Sequence, residues 1–79
     1  MDYGMFIQSI MLSAVEKGLA TCPQAALGEY PDIVRQEFPE FKDKMVLCGL
    51  ALGYEDKGQI VNSYRTPRED LSRFVRYYN

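Results

Sequence analysis

The sequence predicts a small mixed fold of helices and strand, and three observations predict it. A helix-periodic apolar stretch opens the chain, a run apolar at every position lies in its middle, and extended and turn-forming signals fill residues 59–79. Seventy-nine residues make one domain at most. A chain of that size buries only about 60% of the surface its unfolded form exposes. Small domains normally add disulfides, a metal or a partner chain. Cys22 and Cys48 make no disulfide framework, and without a histidine a zinc site lacks a usual ligand. Oligomerisation, a bound cofactor or a further portion of the fold is therefore expected.

Asp2 suits the N-cap of a helix over Tyr3 to Lys17. Tyr3, Phe6, Ile7, Ile10, Met11 and Ala14 recur at three- and four-residue steps, while Met5 and Leu12 fall on the opposite side. A helix apolar on so many sides is expected to be buried. Gly18 supplies the left-handed residue that ends many helices. Residues Gly18 to Leu27 then read as a tight loop that places main-chain groups. Pro23 forbids continued helix, and the small Ala25 and Ala26 suit close approach to a flat ligand or tight packing.

A short helix is expected from Pro31 to Phe38, with proline at its first position, Asp32 in its first turn and Pro39 at its end. Lys42-Asp43-Lys44 bridges to the one clear strand, Met45 to Leu52. Apolar at every position, it is expected to be a central strand covered on both faces. A central strand needs two neighbours, and the chain offers only Gln59–Tyr64 or the C-terminus. Bare strand edges invite pairing. The chain is thus expected to exchange elements in an oligomer or to be the last portion of a larger fold. Residues 59–66 read as extended. Leu71, Phe74 and Val75 fit one helical turn, and Phe74–Tyr78 fits a strand equally well.

The net charge of −2 is unevenly spread. Residues 57–79 hold five bases (Lys57, Arg65, Arg68, Arg73, Arg76) against two acids, whereas residues 1–56 hold four bases against nine acids. A basic tail on an acidic body can bind an anion or complement a partner's surface, or be a solvated face. The acidic balance and the lack of a basic-aromatic stripe exclude nucleic acid as an expected partner. No apolar segment reaches the about 20 residues that cross a bilayer. No signal peptide is expected from the opening residues, and free cysteines favour a reducing cytoplasm, so a cytoplasmic protein is expected.

Without histidine, Ser-His and Cys-His nucleophiles are excluded. Glu29, Asp32, Glu37 and Glu40 lie on or beside a solvated helix and form no acid–base pair. Asp43, Glu55 and Asp56 lack calcium-loop spacing. Gly49 to Gly53 lies within an apolar strand, where a phosphate loop would have to open a helix. Cys22 has no nearby base and is expected to be buried and inert. The chemistry left is that of a cofactor, oriented by main-chain hydrogen bonds.

Four blocks in order carry a resemblance over nearly all of the chain: Asp2 to Leu12, Gly18 to Gln24, Gly49 to Tyr54 and Asn62 to Glu69. Together they closely resemble the C-terminal part of FMN-dependent nitroreductases. The resemblance implies an α+β fold, with an antiparallel sheet flanked by helices, in an intertwined homodimer holding FMN at the subunit interface. It implies hydride transfer from NAD(P)H to flavin N5, then ping-pong reduction of a nitroaromatic or quinone. Pro23, Gln24, Ala25 and Ala26 match the segment beside the flavin ring, where the N–H of Ala25 or Ala26 would bond the N5/O4 edge. Ser63 and Arg65 match a pair, often both basic, that holds the flavin phosphate, and Arg68 is a possible substitute for the position Ser63 takes.

The resemblance also implies a long further segment before this point, gripping the phosphate and ribityl chain. Residues 1–79 are accordingly expected to be a single nitroreductase-like fragment, the N-terminal half of the family fold lying outside it. Two readings result: an FMN-dependent oxidoreductase, or a non-catalytic module that dimerises or docks onto a complementary chain. A basic-tail anion binder is a third, resting on the charge split alone.

Overall fold

The first turn of consequence in the chain is made at Gly18. In the computed structural model, which describes residues 1–79, helix α1 (Asp2–Glu16) closes with Lys17 at its C-cap and Gly18 at φ +73°. The Leu19 N–H donates to the Ala14 carbonyl at 2.8 Å and the Gly18 N–H to the Val15 carbonyl at 3.0 Å. These are the paired bonds of a Schellman turn, which needs a left-handed residue and therefore favours glycine. The turn delivers the chain into strand β1 (Ala20–Gln24), then helix α2 (Ala26–Glu29) and helix α3 (Pro31–Glu37). A 3-10 turn over Pro39–Phe41, strand β2 (Gly49–Gly53) and 3-10 turns over Ile60–Asn62 and Leu71–Arg73 complete it.

β1 and β2 form a two-stranded antiparallel sheet in which Ala20 faces Gly53, Cys22 faces Ala51 and Gln24 faces Gly49. Beside it Leu27 packs on Gly49, and the backbone of Gly28 lies against the Leu47 carbonyl so closely that a Cβ there would collide with it. Arg35 fastens the next connection. Its guanidinium bonds the Asp32 carboxylate at 3.2 Å and donates to the Lys44 carbonyl at 3.0 Å, tying residues 42–44 back to α3.

Several expectations are corrected. α1 begins at Asp2, so Asp2 sits in the first turn, near the helix's positive end, and Met1 takes the cap position. The supposed loop from Gly18 to Leu27 contains β1 and the first two residues of α2. Pairing with β2 overrides the local signal of Pro23, whose fixed φ is compatible with a short, edge-like strand. The strand expected over Met45–Leu52 is ordered as strand only from Gly49 to Gly53. β1 ends at Gln24, opposite Gly49, and beyond it α2 takes the place of a partner strand. Nor is β2 covered on both faces: Ala51, Leu52 and Gly53 are exposed. Within 59–66, Ile60–Asn62 is a 3-10 turn, held by the Asn62 and Ser63 amides on the Gln59 and Ile60 carbonyls. Of the two readings of the tail, a single helical turn is the one formed, over Leu71–Arg73.

The inward stripe of α1 is Ile7, Ile10, Met11 and Ala14, as the periodicity requires, yet only Ala14 is buried, at 5% exposure. Phe6, Met5 and Leu12 remain largely open to solvent, against the expected all-round burial. The accessible surface is 7654 Å², against about 4,900 Å² for a compact protein of this mass. The radius of gyration is 17.1 Å, against about 12 Å for a compact chain of this length.

The Gly18 turn is directly testable. Gly18→Val should lower the unfolding free energy by about 1–2 kcal/mol, read as a lower denaturation midpoint by circular dichroism. The neighbouring Lys17→Ala should leave the midpoint nearly unchanged. Equal midpoints for all three proteins would remove the left-handed turn from the determinants of stability.

Candidate functional site

Ala25 stands between β1 and α2 with φ −64° and ψ −30°. Outside every helix and strand, its N–H donates to no acceptor in the chain. Ala26 is the first residue of α2, a position whose N–H has no intrahelical acceptor. Pro23 and Gln24 are the last two residues of β1, facing Leu50 and Gly49. All four are exposed. The segment therefore presents unbonded main-chain donors beside small side chains, held by the ladder on one side and the Leu27–Gly49 contact on the other.

A cleft of about 870 Å³ opens between the last turns of α1, the start of β1 and residues 54–65. Met11, Leu12 and Val15 form its apolar wall, and Gln8 and Asn62 contribute carboxamides. Its charged groups are Glu55, Lys57 and Arg65. The Arg65 guanidinium donates to the carbonyls of Asn62 at 2.9 Å and Tyr64 at 3.3 Å. Its other terminal nitrogen lies 3.7 Å from the Glu55 carboxylate. Arg65 is thus oriented by backbone and still exposed.

Ser63 and Arg68 are engaged locally and do not line this cleft. The Ser63 hydroxyl donates to the Ile60 carbonyl at 2.6 Å, and Arg68 folds back onto the Thr66 hydroxyl at 2.8 Å. Pro23, Gln24, Ala25 and Ala26 lie at the far end of β1 from the cleft. Arg65 and the segment Pro23–Ala26 thus stand apart on this chain, at opposite ends of β1, and Ser63 and Arg68 join neither. The charge pattern alone did not single out Lys57 and Glu55 from the other charged residues; their place in the cleft results from the turn that folds residues 56–62.

Cys22, expected to be buried, is exposed, because β1 lies at the edge of a sheet with only two strands. The Ser72 hydroxyl and amide both donate to the Asp70 carboxylate, at 2.7 and 2.8 Å, and hold its carboxyl below the ordinary 3.8. A second, apolar groove of about 510 Å³ runs between α1 (Phe6, Ile7, Ile10) and the segment Met45–Cys48.

The nitroreductase family model matches residues 1–54. The chain belongs to the nitroreductase family. A 4-nitrobenzoate reductase of Pseudomonas putida is 36% identical over 77 residues, 98% of this chain and 34% of that protein. Nitroreductase NfnB of Mycolicibacterium smegmatis is 40% identical over 76 residues, 96% of this chain and 32% of that protein. Among solved structures, the FMN-dependent nitroreductase NfnB from Mycobacterium smegmatis in complex with NADPH matches with a TM-score of 0.91 at 38% identity. That match covers 99% of this chain and 35% of that one. The chain spans about a third of the length of the curated relatives it matches. The α+β expectation holds: helices and a small antiparallel sheet form part of the nitroreductase fold. No helix of this nitroreductase-family chain is long and apolar enough to cross a membrane.

The Asp70 turn yields a pH-dependent outcome. Because the folded carboxyl titrates below its unfolded value, the turn Leu71–Arg73 is stabilised above the ordinary carboxylate range. That stabilisation is lost as pH falls through the lowered folded value. A carboxyl titration by NMR should place Asp70 below 3.8, and Ser72→Ala should bring it back towards that value. A wild-type midpoint at or above 3.8 would refute the assignment.

Proposed function

We propose that the chain forms part of an FMN-dependent NAD(P)H oxidoreductase of the nitroreductase type, reducing nitroaromatic or quinone acceptors. In this reading residues 1–79 are a single unit of that larger fold, completed by complementary chain or by a second copy in a homodimer. The observation that carries it is the match over 99% of the chain to an FMN-dependent nitroreductase in complex with NADPH. The residues present suit the cofactor: an exposed guanidinium in a cleft, and an Ala25 N–H without an acceptor.

When bound, FMN would supply hydride acceptance and transfer, which no side chain of this protein offers. Arg65 would hold the phosphate by a charge-assisted hydrogen bond, with Ser63 and Arg68 beside it in sequence. Pro23, Gln24, Ala25 and Ala26 bring backbone close to the ring. There the Ala25 or Ala26 N–H would donate to its polar edge and so favour electron uptake.

Purified chain should bind FMN with quenching of flavin fluorescence and oxidise NAD(P)H when a nitroaromatic is present. Arg65→Ala should weaken FMN binding by about tenfold. Ala25→Pro is the sharper probe. Its φ of −64° already suits proline, and Gln24 before it is extended, so the exchange removes an N–H while keeping the backbone. It should lower the two-electron flavin midpoint by roughly 20 mV, the equivalent of one neutral hydrogen bond. An unchanged midpoint in Ala25→Pro would remove the main-chain role of Ala25.

A second reading, a non-catalytic module that dimerises or docks, is favoured by the excess exposed surface and the apolar groove beside α1. Colourless protein whose mass by light scattering is a multiple of the monomer would support it. Flavin-bound protein turning over NAD(P)H would exclude it.

A further inference from the structure

Residues 55–65 form a closed loop pinned at three points. The Asp56 carboxylate accepts the Gly58 N–H at 2.9 Å, the Asn62 side chain donates to the Asp56 carbonyl at 2.8 Å, and Arg65 donates to the Asn62 carbonyl at 2.9 Å. That knot sets Glu55, Lys57 and Arg65 around one cleft. Glu55 and Arg65 are 3.7 Å apart, beyond hydrogen-bond reach, and both are solvent-accessible. Such a pair contributes little and is easily displaced. Lys57 has no ion-pair or hydrogen-bond partner in the chain. The facing wall from α1 brings Gln8, Met11, Leu12 and Val15, none of them charged.

Resting on the flavin reading above, we propose that Lys57 is the second cation of the phosphate site. Glu55 is then a built-in counter-ion to Arg65 that a phosphate monoester displaces. The sequence pairs Arg65 with Ser63, but the Ser63 hydroxyl already donates its hydrogen to the Ile60 carbonyl, whereas Lys57 shares the cleft with Arg65. With Glu55 swung away, two positive charges face a phosphate that carries close to two negative ones at neutral pH. With Glu55 in place, the cleft keeps a net charge of one and offers a phosphate-free flavin no advantage. Glu55 and Lys57 therefore set the preference for a phosphorylated flavin over its neutral counterpart.

Titration calorimetry of the full chain with FMN and with riboflavin tests this, alongside Glu55→Gln, Lys57→Met and Lys57→Arg, each checked for α1 by circular dichroism. Lys57→Met should weaken FMN binding about fivefold to tenfold, Lys57→Arg should keep it, and Glu55→Gln should tighten it about threefold. Riboflavin affinity should stay within about twofold throughout. Equal shifts for both flavins, or FMN affinities unmoved by these substitutions, would overturn the roles of Lys57 and Glu55 while leaving the flavin reading standing. Wild-type chain that binds neither flavin would overturn the flavin reading itself, and this inference with it.

Discussion

The five-residue ladder between β1 and β2 is the constraint on which the molecule depends. It joins the first helix and the middle of the chain across 29 residues of sequence at the Cys22–Ala51 pair. On one side of it the Gly18 turn fixes where α1 must lie. On the other, Leu27 against Gly49 fixes where α2 begins. The two regions proposed to meet the flavin sit at opposite ends of this ladder, so its twist and register set the distance between them. A one-residue slip would send every side chain of β1 to the other face and carry Ala25 away from its position.

That ladder is not backed by a core. One buried residue in 79, Ala14, is a small offset to the backbone entropy of ordering the chain. The exposed flanks of α1, the open apolar groove and the uncovered face of β2 are the surfaces a larger assembly would bury. An excess of roughly 2,700 Å² over a compact protein of this mass equals one side of a permanent interface of about 5,000 Å² counted over both partners. The relatives it matches are about three times longer than this chain.

How much of this could be read in the residues divides along local and non-local lines. α1, the left-handed end at Gly18 and the proline-started α3 were legible because their causes lie within a few residues: periodicity, a glycine, a proline at the first position. β1 was not, because nothing in Ala20–Gln24 reads as strand until Gly49–Gly53 is set beside it, and Pro23 argues locally for a loop. The upstream limit of β2 was hidden for the same reason, since Met45–Cys48 is as apolar as Leu50–Leu52 and stops being strand only where its partner turns away. At the candidate site, Ala25 and Arg65 were singled out through the resemblance of whole blocks. Lys57 and Glu55 stayed anonymous charges until the Asp56–Asn62 turn placed them beside Arg65.

The elongated shape has its own practical weight. With extents of 53 × 39 × 22 Å and a radius of gyration of 17.1 Å, the isolated chain occupies the radius of a compact globule of about 220 residues. On a sizing column a single copy would therefore travel ahead of its mass and imitate an oligomer. For this protein, elution volume is a measurement of shape, and association is read from scattered light or sedimentation equilibrium.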